Sequence, residues 1–196
     1  MRFKLFSACA AACACIAFLS SCGLFSEPEY KPVYTYDIGF PSDSLVKETS
    51  ALNIDHFSSD APTRYKMTFR FKDRIVQDEY RKWAQSPSSM LTKYLMLAFA
   101  GDERKPVPSA KYSLAGTLIA FEASPEKNLC RLYADCKIRR KDADDVVWAG
   151  ILRIETPLSG AGDRGDDFAA AMSKAAAEMV KSLDRIVKSL PPEKSK

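Results

Sequence analysis

Tyr65-Lys66-Met67-Thr68-Phe69-Arg70-Phe71-Lys72 alternates large apolar side chains with polar ones. Successive side chains of a strand point to opposite faces, so this run predicts a strand with one buried and one wet face. Asp73 and its charged neighbours allow a tight turn into a second strand over Ile75–Tyr80, which gives a hairpin. After Tyr80 the period changes. Ser86-Pro87-Ser88-Ser89 supplies capping hydroxyls and an early proline, and Met90, Leu91, Tyr94, Leu95 and Ala98 then recur at the spacing of one helical face. Together they predict a helix over about residues 87–100.

Outward from this unit, Lys111–Glu122, Leu129–Arg139 and Val146–Thr156 read as strands, the last two joined by the acidic turn Asp142-Ala143-Asp144-Asp145. Phe168, Met172, Ala175, Met179, Leu183, Ile186 and Leu190 step by three or four. They draw one stripe along a helix of about 23 residues, which Pro191 and Pro192 end. Towards the N-terminus, Val33-Tyr34-Thr35-Tyr36 and Ala51–Phe57 read as short strands, and the segment between them, with Pro41, Ser42 and Ser44, as a loop. Seven strands and two helices separated by strands predict an α/β fold. It is a single domain with a mixed β-sheet of about six to seven strands, covered by two main helices.

Arg2 and Lys4 precede an uncharged run from Leu5 to Phe25, the n-region and h-region of an export signal. An uncleaved anchor is the competing reading, because about 20 apolar residues can span a bilayer. A plain secretory signal is a third. Leu19-Ser20-Ser21-Cys22 favours lipidation: a branched apolar residue and two small ones lead into a cysteine, as in the bacterial lipobox. The organisation expected is a signal peptide at 1–21, a lipidated tether at 22–30 beginning with Cys22, a domain at 31–190 and a charged tail at 191–196. Gly23 rather than aspartate after the cysteine resembles lipoproteins sorted to the outer membrane.

Loss of Arg2 and Lys4 from the 29 basic residues leaves 27 against 25 acidic ones, a balance that argues against a nucleic-acid surface. Of the cysteines after the signal, Cys22 is taken by lipid, and Cys130 and Cys136 share one face of a predicted strand. Six residues at ~3.3 Å separate them by about 20 Å, too far for a disulfide. Two core thiols are expected.

Gly160-Ala161-Gly162-Asp163-Arg164-Gly165 fits the dinucleotide pattern G-x-G-x-x-G. Asp163, Asp166 and Asp167 would repel a pyrophosphate at that helix start, and no strand follows to complete a βαβ unit. A flexible loop whose aspartates cap the helix is expected instead. His56 is the only histidine, reads as a structural strand residue and has no second metal ligand near it in sequence. Asp78 and Glu79 read as solvated edge carboxylates. No catalytic residue, metal site or cofactor is expected.

Glu79-Tyr80-Arg81-Lys82-Trp83-Ala84-Gln85-Ser86-Pro87-Ser88-Ser89-Met90-Leu91 sets aromatic residues at a strand-to-helix junction. Trp83 reads as a packing residue there, its N–H bonded nearby and its ring over the helix start. The segment resembles the hallmark of the ABC-type transport auxiliary lipoprotein family, matching its tyrosine, Trp-Ala pair and proline at Tyr80, Trp83, Ala84 and Pro87. Tyr34-Thr35-Tyr36, Leu114-Ala115-Gly116-Thr117-Leu118 and Phe121-Glu122 extend the likeness over most of residues 31–190. Tyr36-Asp37, where members usually carry a leucine, and the early helix end at Gly101-Asp102 depart from it.

The resemblance implies a non-catalytic auxiliary subunit of a lipid transport system at the periplasmic face of the outer membrane. Its partners would be an MCE-type substrate-binding protein and an ABC permease and ATPase, with self-association into a homo-oligomer left open. A structural or sensor lipoprotein that binds a cell-wall or other envelope protein is the alternative.

Overall fold

The computed structural model describes residues 30–60, 65–100, 107–142, 145–160 and 163–190. The signal segment, Cys22, nearly all of the tether and the tail at 191–196 lie outside them.

The elements in chain order are β1 (Tyr34–Tyr36), α1 (Asp43–Glu48), β2 (Asn53–Ile54), β3 (Ser58–Ser59), β4 (Lys66–Phe71), β5 (Arg74–Trp83), α2 (Pro87–Ala100), β6 (Tyr112–Ser124), β7 (Leu129–Arg140), β8 (Val146–Pro157) and α3 (Arg164–Ser189). They build one mixed sheet in the order β1-β5-β4-β6-β7-β8, with β2 and β3 also on β6. The expected fold class is therefore the observed one, and three local differences have physical causes.

First, Ala51–Phe57 is not one strand. β2, β3 and β4 all run parallel to β6, as successive pieces of one interrupted strand along its edge. The interruption is Phe57, whose side chain turns into the core over Gly116, where an added Cβ would lie 2.3 Å from the ring. Its N–H leaves the ladder and donates to Thr92 Oγ1 at 3.0 Å. His56 consequently sits exposed in the connection between β2 and β3, not in a strand. Second, the expected loop after Pro41 holds α1, capped by Ser42, whose Oγ accepts from Leu45 N–H at 3.3 Å. Third, α3 begins at Arg164, ahead of the apolar stripe, because Asp163 caps it.

The period-two reading of β7 is realised. Cys130, Leu132, Ala134, Cys136 and Ile138 are buried, and the residues between them face the other way. Both thiols are free, so no disulfide links them. Cys130 Sγ lies 2.7 Å from Thr156 Oγ1, which itself donates to the Ala171 carbonyl of α3. α2 packs on β2, β3 and β6 and α3 on β1, β7 and β8, so the two long helices lie on the sheet and touch each other.

The face of the sheet away from the helices carries a polar ladder. Arg70 of β4 donates to Glu122 of β6, Arg131 of β7 lies between Glu122 (3.5 Å) and Glu155 of β8 (3.2 Å), and Tyr133 also donates to Glu155. Opposite charges on neighbouring strands thus meet across four strands, the favourable cross-strand pairing.

Candidate functional site

The hallmark segment forms the junction of β5, β1 and the start of α3. On β4, Thr68 pairs with Gln77 and Lys66 with Lys82, so Asp78, Glu79, Tyr80 and Arg81 of β5 all stand opposite Met67. Such a bulge strands backbone donors. Asp78 satisfies two of them: its Oδ1 accepts from the N–H groups of Tyr80 (2.9 Å) and Arg81 (3.0 Å). Asp78 is therefore a largely buried plug of the bulge rather than a solvated edge residue, whereas Glu79 is exposed and pairs with Lys66 at 2.6 Å.

The bulge turns Arg81 towards α3. Its Nε and Nη2 reach the two carboxylate oxygens of Asp163 at 3.0 and 2.7 Å, and its Nη1 reaches Asp78 at 3.1 Å. A two-point Arg–carboxylate fork is the strong form of this contact. Asp163 Oδ1 accepts further from Tyr36 OH (3.1 Å) and from Gly165 N–H (2.7 Å). The guanidinium of Arg81, then the Gly165 N–H, hold the Asp163 carboxyl far below its ordinary range. The same bond to Asp163 raises Arg81. Burial, reinforced by Asp163, raises the Tyr36 phenol.

Three of the five Arg81 guanidinium N–H groups are thus engaged inside the protein. The junction ties the first strand and the Asp163 cap of α3 to the sheet.

The glycine motif resolves in the same way. Gly165 lets α3 approach β1, for a Cβ there would sit 2.4 Å from the Tyr36 ring. Gly160 adopts φ +70 and, with Ser159, donates its N–H to the Asp167 carboxylate at 2.9 and 2.7 Å. Among the described residues of the motif, the Gly160 and Gly165 N–H groups are occupied by aspartates, and Asp163 caps the helix as the sequence reading expects.

Trp83 is buried, at 2% exposure, and meets Phe121 and Phe168 edge-on with ring centroids at 5.2 Å in both cases. Phe168 lies near the start of α3, so the ring packs over that helix start. Its Nε1 has no hydrogen-bond partner among the described residues, contrary to the expected bonded N–H. The α2 start is served by Ser86, whose Oγ accepts from Ser89 N–H at 3.2 Å while Pro87 is buried behind it.

Beside the junction lies a cleft of about 220 Å³, with Phe69, Phe168 and Leu158 on its walls and Arg164 and Asp167 at its polar side. The Arg164 guanidinium stands 5.8 Å from the Phe69 ring centroid. Among the described residues no group of three or more His, Cys, Asp or Glu is placed to hold a metal ion, and no helix is long and apolar enough to cross a membrane. Cys22 lies outside the described residues.

The sequence singled out Trp83 and the capping aspartates but missed the set Tyr36, Arg81 and Asp163. Its members are separated by 127 and 82 residues, so only the tertiary fold reveals their contact.

No family model matches the chain, and no curated protein matches it in sequence. Its fold is that of a Xanthomonas campestris protein of family DUF330, with a TM-score of 0.59 at 19% identity over 77% of this chain and 91% of that one. A second solved protein, uncharacterised, gives a TM-score of 0.63 at 10% identity over 80% of this chain and 99% of its own. A lipoprotein of Neisseria meningitidis reaches only 0.28 at 9% identity, over 72% of this chain and 99% of that one, too loose to bear on function.

Proposed function

We propose that the chain is an ABC-type transport auxiliary lipoprotein, held by acyl chains on Cys22 at the periplasmic face of the outer membrane. There it docks an MCE-type lipid transport complex without catalysing a reaction. One observation carries the reading: a lipobox at Leu19–Cys22 precedes a domain sharing the fold of a DUF330 protein, and the Tyr80–Pro87 hallmark forms that domain's central junction. The engagement of Arg81 by Asp78 and Asp163 supports a positional role, since a docking part needs a fixed surface. Two acyl chains hold a protein stably on a bilayer where one is marginal.

Two measurements on cells producing the intact chain test this. Metabolic palmitate labelling should tag the wild type and not Cys22→Ala, which should accumulate as unprocessed precursor. Affinity purification from detergent-solubilised envelopes should recover an MCE-type protein with its permease and ATPase. Normal processing of the variant refutes the anchor. Recovery of a cell-wall enzyme in place of transport subunits replaces docking with the structural or sensor role.

A further inference from the structure

We infer that the tip of the β4–β5 hairpin is a second membrane contact, which lies on the headgroup layer of the bilayer that holds Cys22 and fixes the orientation of the domain. The inference rests on the lipid anchor proposed above. Beyond Phe69, the only β4 residue that pairs with β6, the hairpin continues through Arg70 and Phe71 to the turn Lys72-Asp73 and returns through Arg74, Ile75 and Val76. Ile75 and Val76 are 42% and 46% exposed. As consecutive strand residues they project to opposite faces, so neither face of the tip is purely polar. Lys72 and Arg74 precede them, and neither side chain has an ion pair or hydrogen bond among the described residues. Asp73 is the one acidic residue of the turn. Branched apolar side chains beside long cationic ones suit an interface, because the apolar parts enter the acyl boundary while the cations reach anionic headgroups.

The topology puts this tip on the side from which the chain enters β1. β1 runs parallel to β5, with Tyr34 beside Arg81 and Tyr36 beside Trp83. The chain therefore enters β1 from the side on which β5 begins, which is the side of the hairpin turn. Eleven residues, 22–32, lead from the lipidated cysteine to Val33 and can span at most about 40 Å. The entry strand carries Val33 and Tyr34, both about half exposed, and Tyr80 stands exposed on the bulge next to Arg81. Tyrosines are favoured where one end of a side chain is wet and the other apolar. The opposite end of the sheet, at the β7–β8 turn, starts with Lys141 and Asp142.

The test uses the full chain, processed and acylated in cells and reconstituted into vesicles of phosphatidylethanolamine and phosphatidylglycerol. An environment-sensitive fluorophore is attached at Ile75→Cys or, as the control, at Lys141→Cys. The intact mass of each sample reports acylation of Cys22. The expected result is a blue-shifted emission at position 75 that brominated lipids quench, with position 141 remaining in water. Replacing Lys72 and Arg74 with glutamate should reverse the shift. An acylated sample whose position 75 stays in water, or behaves like position 141, overturns the hairpin contact and leaves the anchor intact. A sample without acyl chains on Cys22 defeats the anchor, and this inference falls with it. A shift that needs added transport subunits would make the tip a protein contact and overturn the inference.

Discussion

Replacing Trp83 separates what its ring contributes from what its N–H costs. The indole is 2% exposed, wedged edge-on between Phe121 and Phe168, and its Nε1 is buried without a partner. Trp83→Ala empties that site, a change that costs about 3–5 kcal/mol, a large share of the ~5–15 kcal/mol that keeps a domain folded. Trp83→Phe leaves an aromatic ring in place and opens only roughly 35 Å³, or about 1 kcal/mol at ~24 cal/mol per Å³. Lost apolar burial adds about 1 kcal/mol. Against this, deleting an unbonded buried donor returns about 1–3 kcal/mol. The two sides nearly cancel, so Trp83→Phe should lie within about 1 kcal/mol of the wild type while Trp83→Ala loses at least ~3 kcal/mol. Urea unfolding of the domain beginning at Gly23 measures both, with unchanged m-values as the check on two-state behaviour. A phenylalanine variant as damaged as the alanine one would mean that the N–H is bonded in solution, and the reasoning would be wrong.

The depressed Asp163 carboxyl contributes stability that is present above its unfolded value near 4 and is lost as pH falls towards its lower folded value. Its side chain is 39% exposed, so the increment is only about 0.2–1 kcal/mol. Asp163→Asn should accordingly lose less stability than the wild type between neutral pH and about pH 3 in matched urea titrations. Gly165→Ala drives a methyl into the Tyr36 ring and should cost about 1–3 kcal/mol. In a Tyr36→Ser background the cost should shrink by about 1 kcal/mol, and additive effects in that double-mutant cycle would show that the close approach relaxes freely. Burial pushes the Cys136 thiol up to about 12 and also raises Cys130. Both should therefore resist alkylation in the native protein at about pH 8 yet react without prior reduction once unfolded, and native reactivity would expose an error in the β7 packing.

What was legible in the sequence was periodicity. β4 and β7 alternate, α3 carries a stripe, and each pattern reports burial on one face of one element. Breaks in periodicity were harder to interpret. The bulge between Gln77 and Lys82 is plugged by Asp78, a residue whose type also suits a solvated edge. Phe57 ends a strand because it fits over Gly116, 59 positions away, a packing fact that no local pattern contains. The Arg81–Asp163 pair is hidden for the same reason. Arg81 alone looks like an ordinary surface charge and Asp163 like a helix cap, and only the tertiary fold brings the two together across 82 positions.

The parallel, interrupted strand along β6 also sets an order of assembly. β6, β7 and β8 are joined by the short connections 125–128 and 141–145, so their ladders close small loops. β2, β3 and β4 can pair with β6 only across the intervening hairpin and α2, and β1 can pair with β5 only across everything from α1 to β4. Loop closure penalises such distant pairings, and chains rich in them fold more slowly. The first strand of the chain is then the last to find its place. A chain already tethered through Cys22 would hold β1 at the bilayer while the rest of the sheet condenses towards it.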